Sequence, residues 1–293
     1  MSVFERIVCG VDPSPAGIEA LRQAKHLLMP GGRLVAATVY DPAIAVHAGW
    51  RATAVAEELE LEGEEAQITA ARQLEGLEDA ETKLLEGSPT RCLLTLAREE
   101  NATLVAVGSH GHSRAAGILL GTVATTMLHE APCPMLVARH TPGDGQFPGS
   151  ILLGVDGSPE SLRAADVAAE LVERFGASVR ALTATGGKPV DVDGLLEVRK
   201  LETSVLGAVR SGRTVGHTER FPVLEWSEQP PVDALLAASG EADLVILGAR
   251  GLHGLRALGS VSERVAHRAP CSVLVVRPAA PEDPTRDPMK GAA

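Results

Sequence analysis

A glycine pattern that suits a phosphate ligand follows the apolar run 104–107 of this chain. Gly108 and Gly111 are separated by two residues, nine more lead to Gly121, and Thr122 comes next. Glycine lets a backbone approach a ligand closely, and the free N–H groups at a helix N-terminus attract anions. The spacing therefore predicts a phosphate cradle between a strand and a helix. The plainer alternative is an ordinary strand-to-helix turn.

The same layout occurs a second time, with seven residues instead of nine before its last glycine. The matched features are Asp12 and Asp156, Gly108 and Gly248, Gly111 and Gly251, Gly121 and Gly259, and the Ala-Pro-Cys runs at 131–133 and 269–271. The offset between the copies changes only in loops and in the middle of the unit, where insertions are tolerated. The chain is therefore predicted to contain one domain of about 140 residues twice.

The repeat sets the predicted domain boundaries. Residues 1–140 form the first domain, 141–149 form a linker rich in glycine and proline, and 150–278 form the second domain. The stretch 279–293 has no hydrophobic periodicity and is predicted to be a disordered tail.

Each unit alternates apolar strand-like runs with helix-like segments. This alternation predicts an α/β fold in which an open parallel sheet carries helices on both faces, as in Rossmann-like folds. Ser14 and Ser158, each followed by a proline, are predicted to cap the first helix of their unit. Ligands of such sheets bind beyond the carboxyl ends of the strands, where the strand order reverses. Asp12 ends the first strand and Gly108 the fourth, so both would line one crevice if those strands are neighbours.

Composition excludes several function classes. The chain has 293 residues and a formal net charge of −11, which argues against a general nucleic-acid binder because basic patches hold phosphate backbones. It shows no secretory signal and no apolar stretch near the ~20 residues that span a bilayer, which predicts a cytoplasmic protein outside the membrane. The four cysteines form no CxxC pair and are predicted to be buried, reduced thiols. The glutamate-rich stretch 57–65 is predicted to be a solvated helix face.

Taken together, these motifs resemble the universal stress protein family. The resemblance is carried by Val-Asp-x-Ser at 11–14, by Gly-x2-Gly-x9-Gly-[Ser/Thr] from Gly108, by Ala-Pro-Cys-Pro at 131–134 and by Ser-Val-Ser-Glu-Arg-Val at 260–265. It implies two tandem five-stranded sheets of strand order 3-2-1-4-5 that bind an adenine nucleotide, namely ATP, alone or with Mg²⁺. It also implies dimerisation through the last strand, between the two domains of one chain or between two chains.

The resemblance implies a role for each matching residue of domain 1. Asp12 would accept hydrogen bonds near the adenine and ribose, and Val39 would pack on the adenine. Val107 and Gly108 would line the ribose, and Gly111 would let the loop approach the phosphates. The remaining implied contacts are His110 in the loop and Gly121, Thr122, Val123 and Ala124 at the helix N-terminus. The alternative for His110 is a solvent-facing loop histidine.

The second domain departs from the family pattern. Its matching positions are Asp156, Ala184, Leu247, Gly248, Arg250, Gly251, Gly259, Ser260, Val261 and Ser262. Its phosphate loop is two residues shorter and need not close around a ligand, although Arg250 and Arg256 offer charge there. Domain 1 keeps the spacing but has Ala124 where the family usually offers a serine hydroxyl to phosphate. We therefore expect domain 1 to bind ATP more tightly than domain 2.

Catalysis has little support in these residues. The chain lacks the Gly-x4-Gly-Lys-[Ser/Thr] P-loop and the Gly-x-Ser-x-Gly nucleophile elbow. His110 and His112 have no carboxylate or cysteine at metal-ligand spacing, so no metal site is predicted. Three functions stay open: a nucleotide-binding stress regulator, a slow ATP-hydrolysing enzyme, and a structural dimerisation module with vestigial sites.

Overall fold

Strands and helices alternate along both halves of the chain in the computed structural model, which describes residues 3–111, 120–139, 147–187, 223–249 and 258–277. The strands are β1 (Arg6–Gly10), β2 (Arg33–Tyr40), β3 (Ala80–Glu86), β4 (Leu104–Gly108), β5 (Met135–Ala138), β6 (Ser150–Gly154), β7 (Ser178–Ala184), β8 (Val223–Ser227), β9 (Leu244–Gly248) and β10 (Ser272–Val276). The α-helices are α1 (Pro15–Leu27), α2 (Ala52–Leu74), α3 (Pro89–Glu99), α4 (Thr122–Glu130), α5 (Pro159–Phe175), α6 (Pro231–Ala238) and α7 (Ser260–Arg268).

All ten strands lie in one sheet, in the order β3-β2-β1-β4-β5-β10-β9-β6-β7-β8. Within each half the strands are parallel and follow the order 3-2-1-4-5, which confirms the expected α/β fold. The two halves are not separate sheets, however. Strands β5 and β10 pair antiparallel, with Leu136 opposite Leu274. The last strand of each half would otherwise expose unpaired backbone N–H and C=O groups at a sheet edge, and this pairing provides their hydrogen-bond partners.

Two apolar cores, one on each face of the sheet, run through both halves. Side chains of a strand alternate between faces, so Ile7 and Cys9 enter one core and Val8 enters the other. Helices α1 and α5 cover the first core, and α3, α4, α6 and α7 cover the second. Phe147, within the predicted linker 141–149, is 2% exposed and belongs to the first core. The chain is therefore anchored before β6 begins.

Both predicted helix caps are confirmed. The Ser14 hydroxyl accepts a hydrogen bond from Gly17 N at 3.0 Å, and the Ser158 hydroxyl accepts one from Ser161 N at 3.2 Å. In each helix a proline follows the cap, where its missing N–H costs nothing. The first helix of each domain thus begins three residues after Asp12 or Asp156, which follow β1 and β6.

Polar side chains form hydrogen bonds across the junction between the two halves. Arg174 of α5 donates to Leu27 O at 2.8 Å and Leu28 O at 2.9 Å, at the end of α1. Gln23 of α1 is fully buried and donates to Arg139 O at 2.9 Å, while its side-chain oxygen accepts from the Ser272 hydroxyl at 2.9 Å. These contacts bury polar groups with their hydrogen bonds made, as stable interiors require.

Several smaller predictions can be compared directly with the fold. The six glutamates of α2 at 57, 58, 60, 62, 64 and 65 are exposed, as predicted for a solvated face. All four cysteines are free thiols; Cys9, Cys133 and Cys271 are buried, whereas Cys92 is only half-buried. None of the helices in the described part of the chain is long and apolar enough to cross a bilayer.

One strand ends later than the sequence indicated, and residues 218–222 of its predicted range lie outside the described residues. The third strand of the second half was expected at 218–224, and β8 spans Val223–Ser227. The polar residues Glu225 and Ser227 hide this strand from a search for apolar runs. The predicted helix at 193–211, residues 141–146 of the linker and the tail 279–293 lie outside the described residues.

Candidate functional site

Asp12 and the glycine loop lie side by side because β1 and β4 are neighbours. Gly10 is paired with Val107, so the chain leaves both strands at the same end of the sheet. A Cβ added to Gly111 would lie 2.8 Å from Asp12 Oδ2. The carboxylate therefore stands directly against the loop backbone, as the strand-neighbour argument predicted.

Ser14 ties Asp12 to the loop. Its hydroxyl lies 2.5 Å from Asp12 Oδ1 and 3.2 Å from His110 O, and its N–H donates to the same Oδ1 at 3.2 Å. Oδ1 is thus occupied, whereas Oδ2 makes no hydrogen bond with any residue in the described ranges. The half-buried carboxylate is fixed in orientation and keeps one oxygen available as an acceptor.

The first N–H groups of helix α4 lie beside this loop and have no hydrogen-bond partner among the described residues. Gly121 N donates to Ser109 O at 2.8 Å, which closes the loop, and the first bond within the helix runs from Thr125 N to Gly121 O. The N–H groups of residues 122–124 are therefore not consumed by the helix. No acidic side chain lies in its first turn. Such an end attracts an anion through its N–H groups and the helix dipole.

Apolar side chains of β2 and β4, the two neighbours of β1, lie on one face of the sheet beside the site. Val39 lies near the carboxyl end of β2 and is half-buried, and Val107 lies in β4 and is buried. On the opposite face of the sheet, burial and then the nearby Asp12 carboxylate raise the pKa of the Cys9 thiol. Cys9 therefore stays protonated and is no nucleophile. The arrangement offers apolar contact on one side and hydrogen-bonding groups on the other.

The shorter loop of domain 2 also has its ends joined. Gly259 N donates to Ala249 O at 2.6 Å, and the first bond within α7 runs from Glu263 N to Gly259 O. The N–H groups of residues 260–262 are therefore free of intrahelical partners, as in α4. The two missing residues do not prevent this closure. Arg250, Gly251 and Arg256 lie outside the described residues.

Ser262 uses its hydroxyl inside the loop. The hydroxyl oxygen lies 3.0 Å from both Ala249 O and Gly259 O, and the residue is buried. The Ser262 hydroxyl is thus held by its own loop, and its contact with a phosphate stays a prediction. The matching residue in domain 1, Ala124, has no hydroxyl and cannot make this loop contact.

Carboxylates distinguish the second site from the first. The Cβ of Glu160 lies 2.8 Å from the position a Cβ on Gly248 would take, whereas domain 1 has Ala16 against Gly108. Glu263 lies in the first turn of α7 and 3.4 Å from His129 Nε2, whereas domain 1 has Thr125. The Glu160 carboxylate is paired with Arg163 Nη1 at 3.7 Å. The negative charge of Glu263 in the first turn of α7 opposes the binding of a phosphate at that helix end.

One residue of the first site, Gly17, escaped the sequence analysis. A Cβ at Gly17 would collide with Asp12 Oδ1, and one at Gly108 would lie 2.6 Å from the carbonyl carbon of Ala16. Helix α1 therefore approaches both Asp12 and the loop closely because Gly17 and Gly108 lack side chains. The available signal was Gly17 three residues after the capping serine, but the matching residue is Ser161, so the repeat did not single it out.

No metal cluster accompanies the site in the residues that the structure describes: no three His, Cys, Asp or Glu side chains lie together there. His110 Nδ1 instead lies 2.8 Å from the Ser109 hydroxyl. His112 lies outside the described residues.

Comparison with known proteins agrees with this geometry. The universal stress protein family matches residues 4–139 and 149–277. The chain belongs to the universal stress protein family. It carries two tandem domains of that family, as the resemblance in sequence implied. A universal stress protein of Mycobacterium bovis is 28% identical over 309 residues, an alignment that covers 95% of this chain and 96% of that protein.

Solved structures share the two-domain fold. A universal stress protein from Archaeoglobus fulgidus superposes with a TM-score of 0.70 at 23% identity, covering 94% of this chain and 97% of its own. A shorter universal stress protein, solved in complex with cAMP, aligns with 44% of this chain and 97% of its own at 30% identity and a TM-score of 0.35. The full-length alignment supports one architecture for the whole pair of domains.

Proposed function

We propose that this chain is an adenine-nucleotide-binding regulator of the stress response, and that domain 1 holds ATP. The observation that carries the proposal is the contact of Asp12 with Gly111 beside the unused N–H groups at 122–124. A fixed carboxylate accepts hydrogen bonds from a ribose or an adenine amine, and helix N–H groups bind phosphate. Family membership of both halves supports the same ligand class.

Each group in domain 1 then has a task. Asp12 Oδ2 accepts from the nucleoside, and Val39 and Val107 contact the base and ribose. Gly108 and Gly111 keep the loop backbone close to the ligand. The list of proposed phosphate contacts is His110, Gly121, Thr122, Val123 and Ala124. Mg²⁺, where present, would accompany the phosphates.

Regulation follows from linkage between binding and folding. A ligand that binds only the folded state at about 100 times its Kd stabilises that state by about 2.7 kcal/mol. ATP would thus stabilise the folded domain. A change in nucleotide level becomes a change in the stability and surface of the protein.

Domain 2 is proposed to serve mainly as the structural partner of domain 1. Glu263 supports this role because it places negative charge in the first turn of α7, where domain 1 has Thr125. The proposed units are 1–140 and 150–278, with 141–149 between them. Pairing of two whole chains stays a prediction, as does a cytoplasmic location, which the four unpaired cysteines support.

The direct test is to denature freshly purified full-length protein and to identify released nucleotides by mass spectrometry. The proposal expects an adenine nucleotide, with ATP restoring close to one equivalent per chain after the protein is stripped. Absence of any nucleotide, together with no heat on titration with ATP, would favour a structural module with vestigial sites. Steady release of ADP from ATP and Mg²⁺ over many turnovers would favour the slow ATP-hydrolysing enzyme.

A further inference from the structure

Two buried arginines cross the junction in opposite directions. Arg139 follows β5 of domain 1 and donates to Ala266 O at 2.5 Å and Cys271 O at 3.3 Å in domain 2. Arg277 follows β10 of domain 2 and donates to His129 O and Ala131 O in domain 1, both at 3.2 Å. The two residues occupy matching positions of the repeat.

Each arginine reaches the carboxyl end of the helix that begins at the other domain's glycine loop. Arg277 contacts the end of α4, whose first residue follows Gly121, and Arg139 contacts the end of α7, whose first residue follows Gly259. A nine-residue helix is about 13 Å long and behaves as a rigid rod at this length. The position of its carboxyl end therefore fixes the position of the N–H groups at its start.

Each arginine is also joined to the glycine loop of its own domain through the backbone. Ser109 N donates to Ala138 O at 2.9 Å, one residue before Arg139. Ala249 N donates to Val276 O at 2.8 Å, one residue before Arg277. The loop of one site is thus linked, through one arginine, to the phosphate-side helix of the other.

The charge of these arginines suits the helix ends. A cation near the carboxyl end of a helix interacts favourably with the helix dipole. Burial lowers the pKa of Arg139 to about 10, so it remains charged at neutral pH. A buried charge that keeps its hydrogen bonds holds its partners in one geometry, because any displacement leaves the charge uncompensated.

We infer that Arg277 and Arg139 are positioning residues for the nucleotide site of the opposite domain, and that they couple the two sites. This inference rests on the proposed function for its effect on ATP. Arg277 holds α4 at its carboxyl end and therefore fixes the position of the N–H groups at 122–124 relative to Asp12. Arg139 holds α7 in the same way. A displacement of Ser109 or Ala249 in one site is transmitted, through the arginine that follows its backbone partner, to the helix of the other site.

The test compares Arg277→Gln with Arg139→Gln in the full-length protein. Both remove a buried junction arginine, so a general loss of stability should affect both. For ATP at domain 1, Arg277→Gln should weaken binding about fivefold or more, whereas Arg139→Gln should leave it within twofold. Arg277→Lys, which keeps the charge, should recover part of the affinity. Equal losses in the two glutamine variants, or a larger loss in Arg139→Gln, would overturn the inference.

A second readout does not need ATP. In hydrogen exchange, Arg277→Gln should raise exchange in peptides covering α4 and not α7, and Arg139→Gln should do the reverse. Should either glutamine variant fail to fold, the same comparison is made with Arg277→Lys and Arg139→Lys. Exchange that rises only in the helix of the variant's own domain would contradict the crossed linkage. Failure of the wild-type protein to bind ATP, with crossed exchange preserved, would instead contradict the proposed function alone.

Discussion

Asp12 and Gly111 meet at the carboxyl end of the sheet, where a Cβ on the glycine would lie 2.8 Å from Asp12 Oδ2. They come from separate strands, and the pairing of β1 with β4 brings them together. Ser14 fixes the other carboxylate oxygen at 2.5 Å. The site therefore depends on a close approach that only glycine permits at position 111.

Gly111→Ala should weaken ATP binding at domain 1 by about ten- to hundredfold. The added methyl group displaces the Asp12 carboxylate, and a lost hydrogen bond to a charged group costs about 1.5–3 kcal/mol. Calorimetric titration of the full-length variant measures the change. Gly240→Ala is the matched control, because a Cβ at position 240 meets nothing within 4 Å. Equal ATP affinity of the Gly111→Ala variant and the wild type would show that the glycine loop is not part of the binding site.

Removing a glutamate from the second site, or adding one at the matching position of the first, should change the ATP affinity of that site. Glu160→Ala removes a negative side chain beside Gly248 and should strengthen ATP binding at domain 2. Ala16→Glu adds one beside Gly108 and should weaken binding at domain 1. Because like charges repel by about 1 kcal/mol or more at short range near a surface, each change should amount to about fivefold or more. Native mass spectrometry counts ATP per chain: Glu160→Ala should raise the fraction of chains that hold two ATP molecules, and Ala16→Glu should lower the fraction that hold one.

Loss of the Ser262 hydroxyl should destabilise the second loop. Ser262→Ala leaves two carbonyl oxygens without that contact and should lower the free energy of unfolding by about 1 kcal/mol. Ala124→Ser should add the corresponding contact to Ser109 O and Gly121 O in domain 1. Urea denaturation of both variants measures these changes. A stabilised Ser262→Ala variant would show that the hydroxyl does not hold the loop.

The ion pairs of Glu100 should contribute to stability only above acidic pH. Hydrogen bonds from Lys83 at 2.8 Å and Arg33 at 3.0 Å lower the pKa of Glu100 below its usual range. Because the folded pKa lies below the unfolded one, the contribution is complete above the unfolded pKa and disappears as pH falls through the folded pKa. Glu100→Gln should therefore lower Tm at pH 7 and make Tm fall less steeply between pH 5 and about pH 3.

Two controls accompany this prediction. Glu99→Gln changes an exposed neighbour and should leave the acid dependence of Tm unchanged. The Glu100 network lies at the amino ends of β2 and β3, opposite the site, so Glu100→Gln should bind ATP as the wild type does. If Tm of the Glu100→Gln variant depends on pH as steeply as Tm of the wild type does, the ion pairs of Glu100 contribute nothing to stability.

Much of the architecture was predictable from the repeat. Alternating apolar and helical runs identify the strands, and Asp12 and Gly108 follow neighbouring strands as argued. The pairing of β5 with β10 was implied only by the family resemblance and not by the local pattern, because an apolar strand does not reveal which edge it meets. The arginines at 139 and 277 likewise follow the last strands without any motif that marks them.

Side-chain direction accounts for the other differences. Ser262 matched a phosphate-contact position, yet its hydroxyl points to backbone carbonyl groups of its own loop. Phe147 lay in a stretch with the composition of a linker, yet it fills the core. Composition and spacing describe the backbone path, and they do not fix where one side chain finds its partners.

Titration of ATP into the stripped, full-length protein, with Asp12→Asn and Asp156→Asn beside the wild type, tests the central claim most directly. We predict about one tight ATP per chain in the wild type. Asp12→Asn should weaken that binding about ten- to hundredfold, and Asp156→Asn should leave it unchanged. An unchanged affinity in Asp12→Asn, or a larger loss in Asp156→Asn, would contradict the placement of the nucleotide in domain 1.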